Sequence, residues 1–462
     1  MIGHSDSDAV ALAHAIRNGT LSAVDAVDAA LERIVKRDTD INACAFVLTD
    51  RAKSDAQRAD RARAKGHPLG PLHGVPVAIK DHIFVAGVPA TMGTESMRNF
   101  VPTEDAAVVA RLCSAGAIVV AKTTSSELCW SGTSATELFG PTRNPYDPRK
   151  TVGGSSGGSA AIVAADMVTL AIGSDSGGSI RVPAAFCGVV GYKPTNGLVP
   201  RTPGFETYRS TNVIGPLAKS VRDVVLTTSV IAGPDASDDL CLPGIPEARE
   251  APGSLSGSER IAWCRGLTAY PLDPAAEAAL STVVRLIASL GLKTVEASPD
   301  LPAIDEAADL IVISELQVPL PGGLQNVDDA AVRKALATPV DGRDLFRAHA
   351  QRAVYARAWA QFFDQHDLLV MPTVPVPAFC LEHPGPPPLT GEAPDNYGWM
   401  ANTFAANLYR GPAISLPVSL SDDGLPIGIQ IMGPVLSDDV LLAVAAAVER
   451  LIQPLAPPNC SV

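Results

Sequence analysis

Apolar residues recur at helical spacing through the first 65 positions, in "SDSDAVALAHAIRNG" and "SAVDAVDAALERIVK". Each stretch opens on a serine with an aspartate three residues on, Ser5 with Asp8 and Ser22 with Asp25. That pattern predicts two N-caps, and Gly19 is placed to stop the first helix. A helical layer over 1–65 is expected. The period then changes. "GVPVAI" (74–79) reads as a short buried strand, "TEDAAVVARLCSAG" as a helix and "AIVVAK" (117–122) as another strand, the alternation of an α/β sheet. "MVTLAIG" (167–173), "RIAWC" (260–264) and "DLLVMPT" (367–373) predict further core strands, and so do "AISLPVSL" and "PIGIQIMG". Helices are predicted over 273–290 and 328–364, and a closing one from Asp438 to about Ile452. Past residue 233, "GPDASDDLCLPGIPEAREAPGSLSGSER" is rich in Pro, Gly, Ser and acid and reads as a long surface excursion.

Composition narrows the function classes. At 462 residues with 47% hydrophobic content, the chain can bury a core large enough for an enzyme. A formal net charge of −13 disfavours a surface for phosphate backbones or anionic lipid, so nucleic acid is not expected as a partner. "MIGHSDSDAV" lacks a basic segment followed by an apolar one, and the run "VLLAVAAAV" is too short to span a bilayer. A cytoplasmic protein without membrane contact is the simplest expectation. The 8 cysteines form no C-x-x-C pair, which predicts reduced, mostly buried thiols.

The segment "TVGGSSGGSAA" (151–161) is the first chemical candidate. A flexible linker is the plain reading, but a linker does not usually run straight into a helix-like segment and then a strand. A phosphate loop fails because no G-K-[ST] follows. A nucleophile elbow fits Gly153 to Gly157 but needs an acid and a histidine downstream, and His349, His366 and His383 carry no matching signature. A second cluster decides between them: "GSDSGGSIRVPAAFCGVVGYKPT" (173–195) puts Ser176, Gly177, Gly178 and Ser179 after a predicted strand. Consecutive glycines there let backbone N–H groups turn inward, as an oxyanion hole requires. A third element, "GVPVAIKDH", places Lys80 at the end of an apolar strand, where desolvation would free it to act as a base.

These three motifs, with "NPYDPRK" before the first cluster and "GPAISLPVSLSDDGLPIGIQIMG" near the C-terminus, resemble the amidase signature family. The resemblance covers most of the chain. It implies one α/β domain over 1–462, a central mixed, twisted β-sheet surrounded by α-helices, with a signature core over 70–200. It implies a Ser-cisSer-Lys triad, which makes Ser179 the nucleophile, Ser155 the relay beside a cis peptide bond, and Lys80 the base. The N–H groups of Ser176, Gly177, Gly178 and Ser179 would hold the oxyanion, and neither metal nor cofactor is implied. Asp175 and Arg181 are expected to hold the loop rather than react, and Cys187 to be an inert core thiol.

The aromatic residues, 5% of the chain, suggest pocket walls at Trp130, Phe205, Tyr208, Tyr397 and Trp399, with Trp130 and Ser131 the substrate-binding candidates. Asn212 stands where the resemblance leads one to expect aspartate. No extra basic residue for a substrate carboxylate is evident, which favours a small neutral aliphatic or aryl amide. Two other hydrolytic readings share the triad: the glutaminase subunit of a tRNA-dependent amidotransferase, and an allophanate- or carbamoyl-type hydrolase. A non-catalytic scaffold is a further alternative, opposed by the intact Lys80, Ser155 and Ser179. Analogy to the family also allows a homodimer.

Overall fold

The computed structural model describes residues 8–243, 252–267, 270–321, 323–324, 326–386 and 398–458. The helices Ala9–Arg17 and Ala23–Ile41 begin where Asp8 and Ser22 side chains accept the Ala11 and Asp25 N–H groups. Ser22 is the expected cap. The first cap is Asp8, since the helix starts after it, and Ser5 lies outside the described residues. The helical layer is also less uniform than predicted, because a strand, Cys44–Val47, separates Ala23–Ile41 from the helix Thr49–Ala64.

In chain order the strands are β1 Cys44–Val47, β2 Pro76–Lys80, β3 Ile118–Thr123, β4 Ala135–Thr136, β5 Gly140–Pro141, β6 Leu170–Asp175 and β7 Val190–Lys193. There follow β8 Val213–Ala218, β9 Arg260–Trp263, β10 Lys293–Glu296, β11 Leu368–Pro372, β12 Ala413–Leu420 and β13 Pro426–Met432. β4 and β5 form a small hairpin. The others make one 11-stranded sheet in the order β1-β3-β2-β6-β8-β7-β12-β13-β11-β9-β10. Parallel pairs (β2 with β3 and β6, β9 with β10 and β11) join antiparallel ones, so the sheet is mixed and helices cover it, as the resemblance implies. Every residue of β2, β3 and β6 is buried, which is why they read as continuous apolar runs rather than alternating ones.

Several elements depart from the predicted pattern. The helix expected over 328–364 is two, Ala330–Ala337 and Gly342–Phe363, because Pro339 forces Thr338 into an extended conformation and Asp341 then caps a new start. Helix Asp305–Leu316 and strand β8, whose Gly215 and Pro216 look like loop punctuation, carried no prediction. Part of the polar excursion after residue 233, positions 244–251, lies outside the described residues. No helix among the described residues is long and apolar enough to cross a membrane.

The layout brings three chain segments to one place. β2 runs parallel to β6, so Lys80 at the end of β2 and Asp175 at the end of β6 emerge on the same edge of the sheet, where ligands collect in parallel α/β folds. Helix Gly157–Ala164 is buried along its whole length and packs behind them, holding the first glycine-serine cluster against that edge.

Candidate active site

Lys80 is fully buried and its Nζ contacts three serine hydroxyls: Ser155 Oγ at 2.7 Å, Ser156 Oγ at 2.9 Å and Ser174 Oγ at 3.1 Å. Burial lowers its pKa from the usual lysine range, partly offset by Cys129, Asp175 and Asp81. The peptide bond Gly154–Ser155 is cis. Gly154 is glycine for want of room: a Cβ there would lie 2.6 Å from the Ser131 and Thr133 carbonyl oxygens.

Ser179 follows the β6 loop and is 7% exposed, and its carbonyl accepts the Ser156 N–H at 3.0 Å, tying the two glycine-serine clusters together. The loop is shaped by Asp175, whose carboxylate accepts the N–H groups of Gly178 (2.8 Å) and Ile180 (3.1 Å) and pairs with Arg181 at 2.8 Å, both side chains fully buried. Despite that burial, the Arg181 guanidinium and the Asn407 amide hold the Asp175 carboxyl at about 2. Asp175 and Arg181 thus hold the loop. Of the four N–H groups expected to hold an oxyanion, that of Gly178 donates to Asp175 in this structure.

A cavity of about 50 Å³ opens over Ser179, lined by Trp130, Ser176, Gly177, Tyr208 and Phe404, with Asp309 at its exposed rim. Trp130 and Tyr208 therefore reach the place expected of them. Ser131 does not line it: its hydroxyl bonds Thr133 Oγ1 at 3.0 Å and its carbonyl packs under Gly154, so its part is to support the relay segment. Trp399 is core, stacked on Phe186 at 6.1 Å, and Tyr397 lies outside the described residues. Phe205 lines a second cavity of about 20 Å³ with His82, Ser174 and Arg201. Asn212 accepts the Ser176 hydroxyl at 3.2 Å. Cys187 is a core thiol pushed up by burial. Of the other described cysteines, Cys129 and Cys264 are buried and Cys113 is exposed, so burial is less general than expected.

Three neighbours of the lysine escaped the sequence reading. Ser174 and His82 meet at 3.0 Å, Oγ to Nε2, and the Cys129 thiol, raised by burial, borders both Lys80 and Ser155. His82 stands in the quoted "GVPVAIKDH", but nothing local in that motif pairs it with a serine 92 positions away.

The Amidase family profile matches residues 25–319 and 330–442. The chain belongs to the Amidase family. It is 36% identical to a glutamyl-tRNA(Gln) amidotransferase subunit of Salinispora tropica, over 97% of this chain and 98% of that protein. The protein of the same name from a Synechococcus strain is 34% identical over 94% and 95%. Among solved structures, 6-aminohexanoate cyclic dimer hydrolase superposes with a TM-score of 0.88 at 28% identity, covering 98% of this chain and 99% of that one. The peptide amidase of Stenotrophomonas maltophilia gives 0.87 at 29%, covering 100% of both. This amidase is accordingly an enzyme of the class that hydrolyses amide C–N bonds.

Proposed function

We propose that this amidase hydrolyses a small carboxamide through an acyl ester on Ser179, with Ser155 carrying protons between Ser179 and Lys80. The observation that carries this reading is the 2.7 Å contact of Ser155 with a fully buried lysine that burial pushes toward its neutral form. A serine hydroxyl is a poor nucleophile until a base takes its proton, and only the neutral amine can accept one. Lys80 takes the Ser155 proton as Ser155 takes that of Ser179, and Ser179 Oγ bonds to the carbonyl carbon. The N–H groups of Ser176, Gly177 and Ser179 stabilise the oxyanion. Its collapse breaks the C–N bond while the proton returns through Ser155 to the leaving nitrogen. Water, deprotonated by the same relay, then attacks the ester and releases the acid.

The cavity walls Trp130, Tyr208 and Phe404 suit a small aliphatic or aryl acyl group. A second reading has a specific observation behind it. Relatives spanning nearly the whole chain at 34–36% identity are named as amidotransferase subunits, and Asp309 at the cavity rim would suit the ammonium of glutamine. Under that reading glutamine is the amide and a partner receives the ammonia. The tRNA in the relatives' name stands against the expectation of no nucleic acid; with a net charge of −13 the partner, rather than this chain, would hold the RNA. The experiment is release of ammonia or amine from aliphatic, aryl, carbamoyl and glutamine amides by the protein and its Ser179→Ala variant. Serine-dependent turnover of a neutral amide by the protein alone supports the first reading. Activity confined to glutamine supports the second, and no serine-dependent release from any amide contradicts both.

A further inference from the structure

A neutral lysine has two N–H groups and one lone pair, and Lys80 has three hydroxyl neighbours, so the other partners of each serine decide where that lone pair points. Ser156 is settled. Its hydroxyl donates to the Ser174 carbonyl at 3.0 Å, so toward Lys80 its oxygen can only accept. The lone pair is left to Ser155 or Ser174. Ser174 Oγ has one proton and lies 3.1 Å from Lys80 Nζ and 3.0 Å from His82 Nε2. If Nε2 accepts, Ser174 gives its proton away from the lysine and takes a lysine N–H, and the lone pair faces Ser155. If Nε2 carries the proton, each donation reverses: His82 to Ser174, Ser174 to Lys80, Lys80 to Ser155. The lysine then cannot receive the relay proton.

We propose that His82 is a positioning residue for the reaction: with its proton on Nδ1, a buried atom with no hydrogen-bond partner among the described residues, its Nε2 takes the Ser174 proton and so aims the Lys80 lone pair at Ser155. This rests on the roles given above to Lys80, Ser155 and Ser179. Burial and the facing cations Lys122 and Arg201, with Lys80 adding to them whenever it is charged, keep the imidazole well below its usual pKa, so it stays neutral across the working range. The groups facing Lys80 are Cys129, Asp175 and Asp81. His82 also lines the 20 Å³ cavity beside the nucleophile loop, space on the scale of a water molecule next to the ring.

The test is the rate of Ser179 modification by a fluorophosphonate as a function of pH, for the full-length protein and its His82→Phe and His82→Gln variants. Removing the acceptor lets Ser174 donate to Lys80, which stabilises the neutral amine in the wrong orientation. His82→Phe is therefore expected to lower the plateau rate by about tenfold, the worth of one hydrogen bond, and to move the acidic limb to lower pH. His82→Gln, which offers a carbonyl acceptor, is expected to stay within about twofold of the parent. A His82→Phe profile matching the parent in plateau and limb overturns the proposal, as does a loss in His82→Gln equal to that in His82→Phe. Should His82→Phe fail to fold, the ¹⁵N shifts of the parent imidazole decide: a proton on Nδ1 is expected, and one on Nε2 overturns the proposal. A parent that the fluorophosphonate does not label at all contradicts the nucleophile assignment itself.

Discussion

Lys80 meets three serine hydroxyls rather than a carboxylate, surroundings that suit the base role proposed for it. A carboxylate in contact would hold the ammonium protonated, whereas burial works the other way. Because its pKa is lowered, the neutral fraction grows as pH rises with its midpoint below the ordinary lysine value of 10.5. Fluorophosphonate labelling should therefore climb with pH to a plateau, with its midpoint below that value. Lys80→Arg, which cannot give up its proton, should lose on the order of 10³-fold or more in the same assay. Asp175 follows the opposite sign. Held at about 2 against an ordinary 3.8, its carboxylate stabilises the fold above the ordinary value, and that contribution is lost as pH falls toward 2. Asp175→Asn strands a fully buried Arg181 and should cost about 3–5 kcal/mol in chemical denaturation. Lys80, Ser155 and Ser179 were singled out in the sequence because three separated motifs agree in order and spacing with those of one family. His82, Ser174 and Cys129 were not, because their meeting depends on the register of β2 against β6 and on a loop from another part of the chain.

At the scale of elements, the nucleophile loop is set by backbone that only glycine fits. Gly178 has φ +130°, and a Cβ on it would fall 2.2 Å from Thr403 Oγ1. Gly178→Ala should displace the neighbouring Ser179 N–H and cut the labelling rate on the order of 100-fold while the cooperative unfolding transition persists. A second prediction concerns the helix junction far from the site. Asp223, which accepts the Val10 N–H, and Glu449, which accepts that of Val221, are both raised by burial to about 7. The folded state binds their protons more tightly than the unfolded chain does, so their contribution to stability falls as pH rises from about 4 to about 7. Asp223→Asn should flatten that slope, measured as the denaturation midpoint across this range. Many strands and helices with a single clean period were read correctly, though β10 and the helices Val221–Ile231 and Ala401–Tyr409 carried no prediction. β8 was not, since a glycine and a proline interrupt it, and the helix break at Pro339 was missed because apolar positions continue on both sides.

For the whole molecule, one sheet from β1 at residue 44 to β13 at residue 432 joins the two ends of the chain around a single site. The polar stretch after 233 gave no sign of this locally; the agreement of separated motifs in one order did. The charge of the chain argues about partners and not about chemistry, so whether the amide is glutamine or a free-standing neutral substrate is a property of the cavity over Ser179 and of any bound partner. The central claim, acyl transfer on Ser179, is tested most directly by mass spectrometry of the intact protein after a brief reaction with a turned-over amide and rapid acid quenching. The account predicts an adduct of the acyl mass on the peptide carrying Ser179, absent in Ser179→Ala. Turnover that persists in Ser179→Ala, or an acyl adduct on any other residue, would contradict it.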